Sequence, residues 1–204
     1  MPATYTEVIF DLETKKIFED IGTNDPAGLG ISIVSLYKRI LDDNFNEVDG
    51  QLQSFWEEDF AKMWPLFSNV DRIIGFNSLH FDVPALVPLA PYDFKKLTHF
   101  DIMDHVKQAV GFRLSLNAIA SETLDHAKID HGLNAVYYWQ QHTPESLAKL
   151  KKYCESDVII TKEVYDYGLK NQKLKFIDKW NTVRTFPVDF SYPKKDIAPQ
   201  MGLF

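Results

Sequence analysis

Residues 6–12, TEVIFDL, make an apolar run of β-branched and aromatic side chains that reads as a strand entering the core, and it continues straight into Glu13 and Thr14. Side chains two apart on a strand project from one face, so Asp11 and Glu13 stand together while Phe10 and Leu12 turn to the other side. Two carboxylates placed this way repel each other, and one tends to take up a proton unless a cation removes the conflict. A bound metal is the natural solution. Oxygen-only ligands suit Mg²⁺ or Mn²⁺, since no Cys or His cluster offers the softer donors that favour zinc.

The rest of the chain alternates elements. Residues 31–40, ISIVSLYKRI, predict a second strand, and the polar turn after them leads into a weaker third strand or edge. Residues 56–68 place Phe60, Met63, Trp64 and Phe67 at helical spacing, with Pro65 predicting a bend or early end. RIIGFN (72–77) and LTHFDI (97–102) are short strand candidates. Helices are expected through MDHVKQAV, stopped by Gly111, through 115–124 with Ser115 as cap, and from Thr143–Pro144–Glu145 to about Gly168. The polar run 125–134 reads as a loop near a functional edge. Early strands followed by alternating strands and helices indicate an α/β domain with a mixed sheet.

With 204 residues, one ample domain is the default, and 15 Phe, 9 Tyr and 4 Trp supply an ordered interior. The expected division is an enzymatic domain over 1–172 and a C-terminal extension over 173–204, where basic and aromatic residues alternate before a proline-rich stretch that reads as an arm or peripheral strand. The single cysteine, Cys154, cannot form an internal disulfide, and no apolar run approaches a membrane span. Without a secretory signal pattern, a cytoplasmic, membrane-free protein is expected. The net charge of −7 argues against broad electrostatic coating of nucleic acid, although an enzyme acting on a strand end needs few phosphate contacts.

Two further segments carry acids in a meaningful order. Asp82 follows a strand in GFNSLHFD, and Tyr153 and Asp157 in YCESD lie four apart in a helical segment, on one face about one turn from each other. Asp157 can reach a metal there, while the Tyr153 phenol orients an attacking water or helps take its proton. Asp82 also suits a helix cap near Pro84, a role compatible with ligation.

FDLET, GFNSLHFD and YCESD together resemble the three motifs of the DEDD family of 3′–5′ exonucleases in the ribonuclease H-like superfamily, and the Tyr four residues before the last Asp resembles its tyrosine-bearing subgroup. GFNSLHFDVPAL, HFDIMDHV and GFRLSLNAIASETL are also similar to ribonuclease H-like exonuclease domains found beside or fused to helicases. The resemblance covers roughly residues 6–170. It implies a central mixed sheet flanked by helices, with its first three strands antiparallel. It further implies a pair of Mg²⁺ or Mn²⁺ ions held by Asp11, Glu13, Asp82 and Asp157, with Tyr153 orienting water. The expected substrate is a nucleic-acid 3′ end, single-stranded DNA ahead of RNA, releasing nucleoside 5′-monophosphates; a helicase or another replication or repair protein is the expected partner.

Around this set, Leu12, Thr14, Asn77, His80, Phe81 and His131 are candidate substrate contacts. The two histidines could touch phosphate or simply be solvated, Asn77 could be a turn residue, and Phe81 could wedge a base or pack in the core. Asp101 and Asp104 read as helix-start acids rather than ligands. A second Tyr-x-x-x-Asp pattern, Tyr192 and Asp196, contains Pro193 and reads as coincidence. IFDLET also comes within one residue of the D-x-D-x-T hallmark of haloacid dehalogenase-type phosphatases, but that reading leaves the Tyr153–Asp157 pair unexplained. A non-enzymatic module that only binds a nucleic-acid end or a helicase is the remaining alternative; intact acids count against it.

Overall fold

The computed structural model describes residues 4–124 and 135–193. Its strands are β1 (Tyr5–Thr14), β2 (Ile31–Leu41), β3 (Glu47–Trp56), β4 (Arg72–Gly75), β5 (His99–Asp101), β6 (Lys173–Ile177) and β7 (Val183–Pro187). The helices are α1 (Phe18–Ile21), α2 (Phe60–Met63), α3 (Asp82–Leu86), α4 (Ile102–Val110), α5 (Leu116–Thr123), α6 (Ala135–Gln141) and α7 (Pro144–Asn171). The main sheet has the order β3-β2-β1-β4-β5: β1, β2 and β3 are antiparallel, whereas β4 and β5 run parallel to β1. This is a mixed five-stranded sheet flanked by helices, consistent with a ribonuclease H-like α/β fold.

The alternation of β1 divides two cores. Val8, Phe10 and Leu12 pack with Phe60, Met63, Trp64, Phe67, Val83, Leu86 and Phe94 on one side. On the other, Ile9 and Ile74 meet Ile102, Val106, Ile119, Val158 and Tyr165 from α4, α5 and α7. A smaller cluster joins Ile33 to Ala135, Leu150 and Cys154, so α6 and α7 close over the far end of the same face. Each fully buried aliphatic or aromatic side chain of this kind contributes about 1.5–3 kcal/mol.

β1 is hydrogen-bonded to β2 along its whole length but to β4 only over Glu7–Ile9. Its last four residues therefore lie beyond the end of β4. That leaves an opening at the carboxyl ends of β1 and β4, the place where open α/β sheets hold ligands.

Several expected elements are altered. The helix expected over 56–68 is instead a 3₁₀ turn (Glu57–Asp59), the single turn of α2, and a second 3₁₀ turn (Trp64–Phe67). Pro65, lacking an N–H, sits at the start of that last turn and prevents a continuous helix. The predicted apolar face survives, because Phe60, Met63, Trp64 and Phe67 are all buried. α6 was not anticipated. α7 starts as expected, with Thr143 capping Ser146 N–H and Pro144 in the first turn, but runs past Gly168 to a left-handed cap at Gln172. Gly168 lies inside this helix because Phe190 packs on it: an added Cβ would come within 2.3 Å of that ring.

After α7 the chain forms an antiparallel β6–β7 hairpin that buries Leu174, Phe176 and Phe186 in the same core as α4, α5 and α7. The segment 188–192 is anchored by polar groups. Arg72 donates to the Phe190 and Ser191 carbonyls at 2.8 and 3.0 Å and to the Tyr165 hydroxyl at 2.7 Å. Tyr165 and Tyr192 both donate to Glu7 Oε1, at 2.9 and 2.5 Å, while Arg39 pairs with Glu7 Oε2. Tyr192 thus serves this buried network. No helix among the described residues is long and apolar enough to cross a membrane.

Candidate metal centre and active site

The three acidic segments converge at the opening beyond β4. β1 supplies Asp11 and Glu13, α7 supplies Asp157 from the helix crossing that face, and carboxylate oxygens of these three residues lie within 4.8 Å of one another. Asp82, the first residue of α3, is buried beside them, next to Leu12 where β1 outruns β4. The N-cap of α3 is Phe81, so Asp82 occupies the first helical position rather than the cap.

Electrostatics confirms the crowding. Asp11 is held well above the usual carboxylate range by burial, then by the charges of Asp82, Asp157 and Glu13. Glu13 is raised by burial and by Asp157 and Asp82. Asp82 is pushed up to about 7, chiefly by burial, and Asp157 is raised by burial against a lowering hydrogen bond from Tyr153. Burial and the neighbouring Asp157 charge also raise the Tyr153 phenol. Cys154, one residue on, lies beneath the group: its thiol, kept protonated by burial, approaches the Asp11 carbonyl at 3.5 Å and Oδ2 at 3.9 Å. Four carboxylates raised first of all by burial, two of them (Asp11 and Glu13) also by the other acids of the set, with no lysine or arginine paired to any of them among the described residues, form a set that a hard, oxygen-seeking cation fits.

The other expected contacts are scattered. Leu12 has its side chain in the core and offers only its backbone. Thr14 is buried, its hydroxyl donating to the Lys16 carbonyl at 2.8 Å. Asn77 takes a left-handed conformation, and its N–H donates to Asp101 at 2.8 Å; its side-chain oxygen is buried without a hydrogen-bond partner. Phe81 is half-buried against the core and meets Phe18 edge-to-face. His80 is exposed and lies 2.9 Å from Asp104, within a second His–carboxylate group with Asp101. Asp101 is occupied there by the N–H groups of Asn77, Leu79 and Met103, the last as the cap of α4. His131 lies outside the described residues.

An aromatic rim escaped the sequence reading. Trp139 of α6 stacks on Trp56 at the end of β3, with Lys15 5.3 Å from its ring centroid, and both tryptophans pack in the cluster that includes Tyr153. The available signal was the aromatic triplet 137–139, whose strand-favouring composition masks a helix.

A family model described as the RNase_H superfamily matches residues 8–168. Among solved structures, the family B DNA polymerase from the hyperthermophilic archaeon Pyrobaculum calidifontis shares the fold with a TM-score of 0.57 and 17% identity over 80% of this chain. The chain spans 24% of that polymerase's length. No curated protein matches the sequence.

Proposed function

The chain belongs to the RNase H superfamily, and on that premise we propose that it is a metal-dependent 3′–5′ exonuclease of the tyrosine-bearing DEDD type. The observation that carries this reading is the meeting of Asp11, Glu13 and Asp157 within 4.8 Å, with buried Asp82 beside them. Single-stranded DNA is the favoured substrate, ahead of RNA, following the DNA polymerase whose fold the chain shares.

Asp11, Glu13, Asp82 and Asp157 would hold the metal. When bound, a pair of Mg²⁺ or Mn²⁺ ions supplies the positive charge that activates water and stabilises the leaving oxygen of a phosphodiester. The protein's own part is positioning. Tyr153, beside Asp157 on the same helix face, would orient the attacking water by a hydrogen bond or help take its proton. Asp82, the buried first residue of α3, would bring a fourth carboxylate to the end of β1. The Trp56–Trp139 rim offers a stacking surface for a terminal base. A phosphomonoesterase of the haloacid dehalogenase type has no use for the Tyr153–Asp157 pair.

A 5′-labelled strand incubated with Mn²⁺, Mg²⁺ or chelator tests the proposal. A ladder shortening from the 3′ end in either metal, absent with chelator and with a 3′-blocked strand, is expected. Release of nucleotides from the blocked strand would overturn the polarity, and metal-independent hydrolysis would overturn the mechanism.

A further inference from the structure

The β6–β7 hairpin is unlike the rest of the molecule in charge. Residues 170–187 hold Lys170, Lys173, Lys175, Lys179 and Arg184 against Asp178 alone, in a chain whose net charge is −7. The hairpin tip is also unusually apolar for a surface. Trp180 is 70% exposed, and Val183, Phe112 and Ile177 are each exposed by more than two fifths. Trp180, Ile177 and Phe112 line a cleft of about 520 Å³ between the hairpin and the α4–α5 loop, whose walls include Leu114, Phe176 and Arg184. Lys179 lies 4.5 Å from the Trp180 ring centroid at its mouth.

An apolar protein dock does not need this density of cations, and bulk counter-charge for an acidic protein does not need an exposed indole beside a cleft. Stacking surface and phosphate-seeking cations together are what a single nucleic-acid strand requires. The root of the hairpin is Lys173, immediately after α7, and Asp157 lies 15 residues before Gln172 on that helix. At 1.5 Å per residue the two points are about 22 Å apart. That is roughly six nucleotides at ~3.4 Å each, fewer for a stretched strand.

We infer that the β6–β7 hairpin is a second binding site for single-stranded DNA, with Trp180 stacking on a base and Lys179 meeting the backbone, upstream of the 3′ end seated at Asp11, Glu13 and Asp157. Arg184 is held by Asp178 at 2.6 Å. The identity of the strand rests on the exonuclease reading; the binding surface itself does not.

The test measures binding and turnover separately on the full chain. Anisotropy of labelled dT20 in chelator reports binding without hydrolysis for the parent, for the Lys179→Glu/Trp180→Ala double variant, and for Lys96→Glu, an exposed lysine outside the hairpin. Both hairpin side chains are exposed, so the fold should survive their change. The double variant should bind about tenfold more weakly, with a salt dependence flatter by about one counterion or more, while Lys96→Glu stays within about twofold of the parent. In metal, the parent's preference in kcat/KM for a 20-mer over a trinucleotide should collapse in the double variant. Equal dT20 affinity of parent and double variant overturns the inference. So does binding of a poly-glutamate peptide without measurable DNA binding, which would make the patch a dock for an acidic protein. Weakened DNA binding in the double variant, with no turnover by the parent, sinks the exonuclease reading and leaves the hairpin site standing.

Discussion

The Tyr153 phenol stands beside the Asp157 carboxylate one turn further along α7, near enough for that charge to raise it, on the helix face that meets Asp11 and Glu13 of β1. One helix therefore sets the position of the proposed metal ligand and of the group beside it, and the two roles separate by substitution. Tyr153→Phe should keep the ring in place, leave Mn²⁺ affinity near that of the parent and lower kcat by about 10²-fold, the scale of a misplaced reactant. Asp157→Asn should lose metal affinity and turnover together. Steady-state kinetics alongside Mn²⁺ titration calorimetry checks both.

Stability should depend on pH and metal in a linked way. Asp11, Glu13, Asp82 and Asp157 all have folded-state pKa values above those of free carboxylates, with Asp82 at about 7. Groups raised on folding give their full contribution below the unfolded value, near about 4, and lose it as pH rises through the folded value. In chelator, the midpoint of thermal unfolding should fall between about pH 4 and pH 8. Mn²⁺ should suppress that fall at pH 7–8 by binding the folded state alone. A flat profile in chelator would show that the acids do not crowd one another.

The aromatic rim predicts a binding effect. Trp139→Ala removes the ring that stacks on Trp56 and faces Lys15, and with it a surface worth about 1–3 kcal/mol per stacked base. KM for a single strand should rise about tenfold with kcat little changed, as seen by initial rates over a range of strand concentrations, with circular dichroism confirming the fold.

Tyr192 predicts a purely structural effect. Its hydroxyl reaches Glu7, which is fully buried and already engages Arg39 and Tyr165. Tyr192→Phe removes one donor from a buried carboxylate and should cost about 1–3 kcal/mol, a drop in Tm of several degrees for a chain of this size. Turnover by the folded enzyme at low temperature should be unchanged. Differential scanning calorimetry measures the first and an activity assay the second.

What the sequence made legible follows from which signals are local. Strand alternation around Asp11 and Glu13, the Thr143–Pro144 helix start and the four-residue spacing of Tyr153 and Asp157 are properties of single segments, and each appears in the structure as read. The glycine at 168, inside α7, makes room for the Phe190 ring, a contact between segments 22 positions apart. The buried state of Glu7 depends on Arg39, Tyr165 and Tyr192 arriving from three other elements. α6 is short, and its aromatic triplet favours strand by composition; its packing against Leu150 and Cys154 is what makes it a helix. The place of buried Asp82 beside the end of β1 depends on β4 stopping short of that end, a length relation between two strands that neither strand's sequence carries.

The most direct measurement is anomalous diffraction from a crystal of the protein soaked in Mn²⁺. The account predicts two peaks about 3.5–4 Å apart, bounded by Asp11, Glu13, Asp82 and Asp157. Manganese found only elsewhere, with those four carboxylates free of metal, would contradict it.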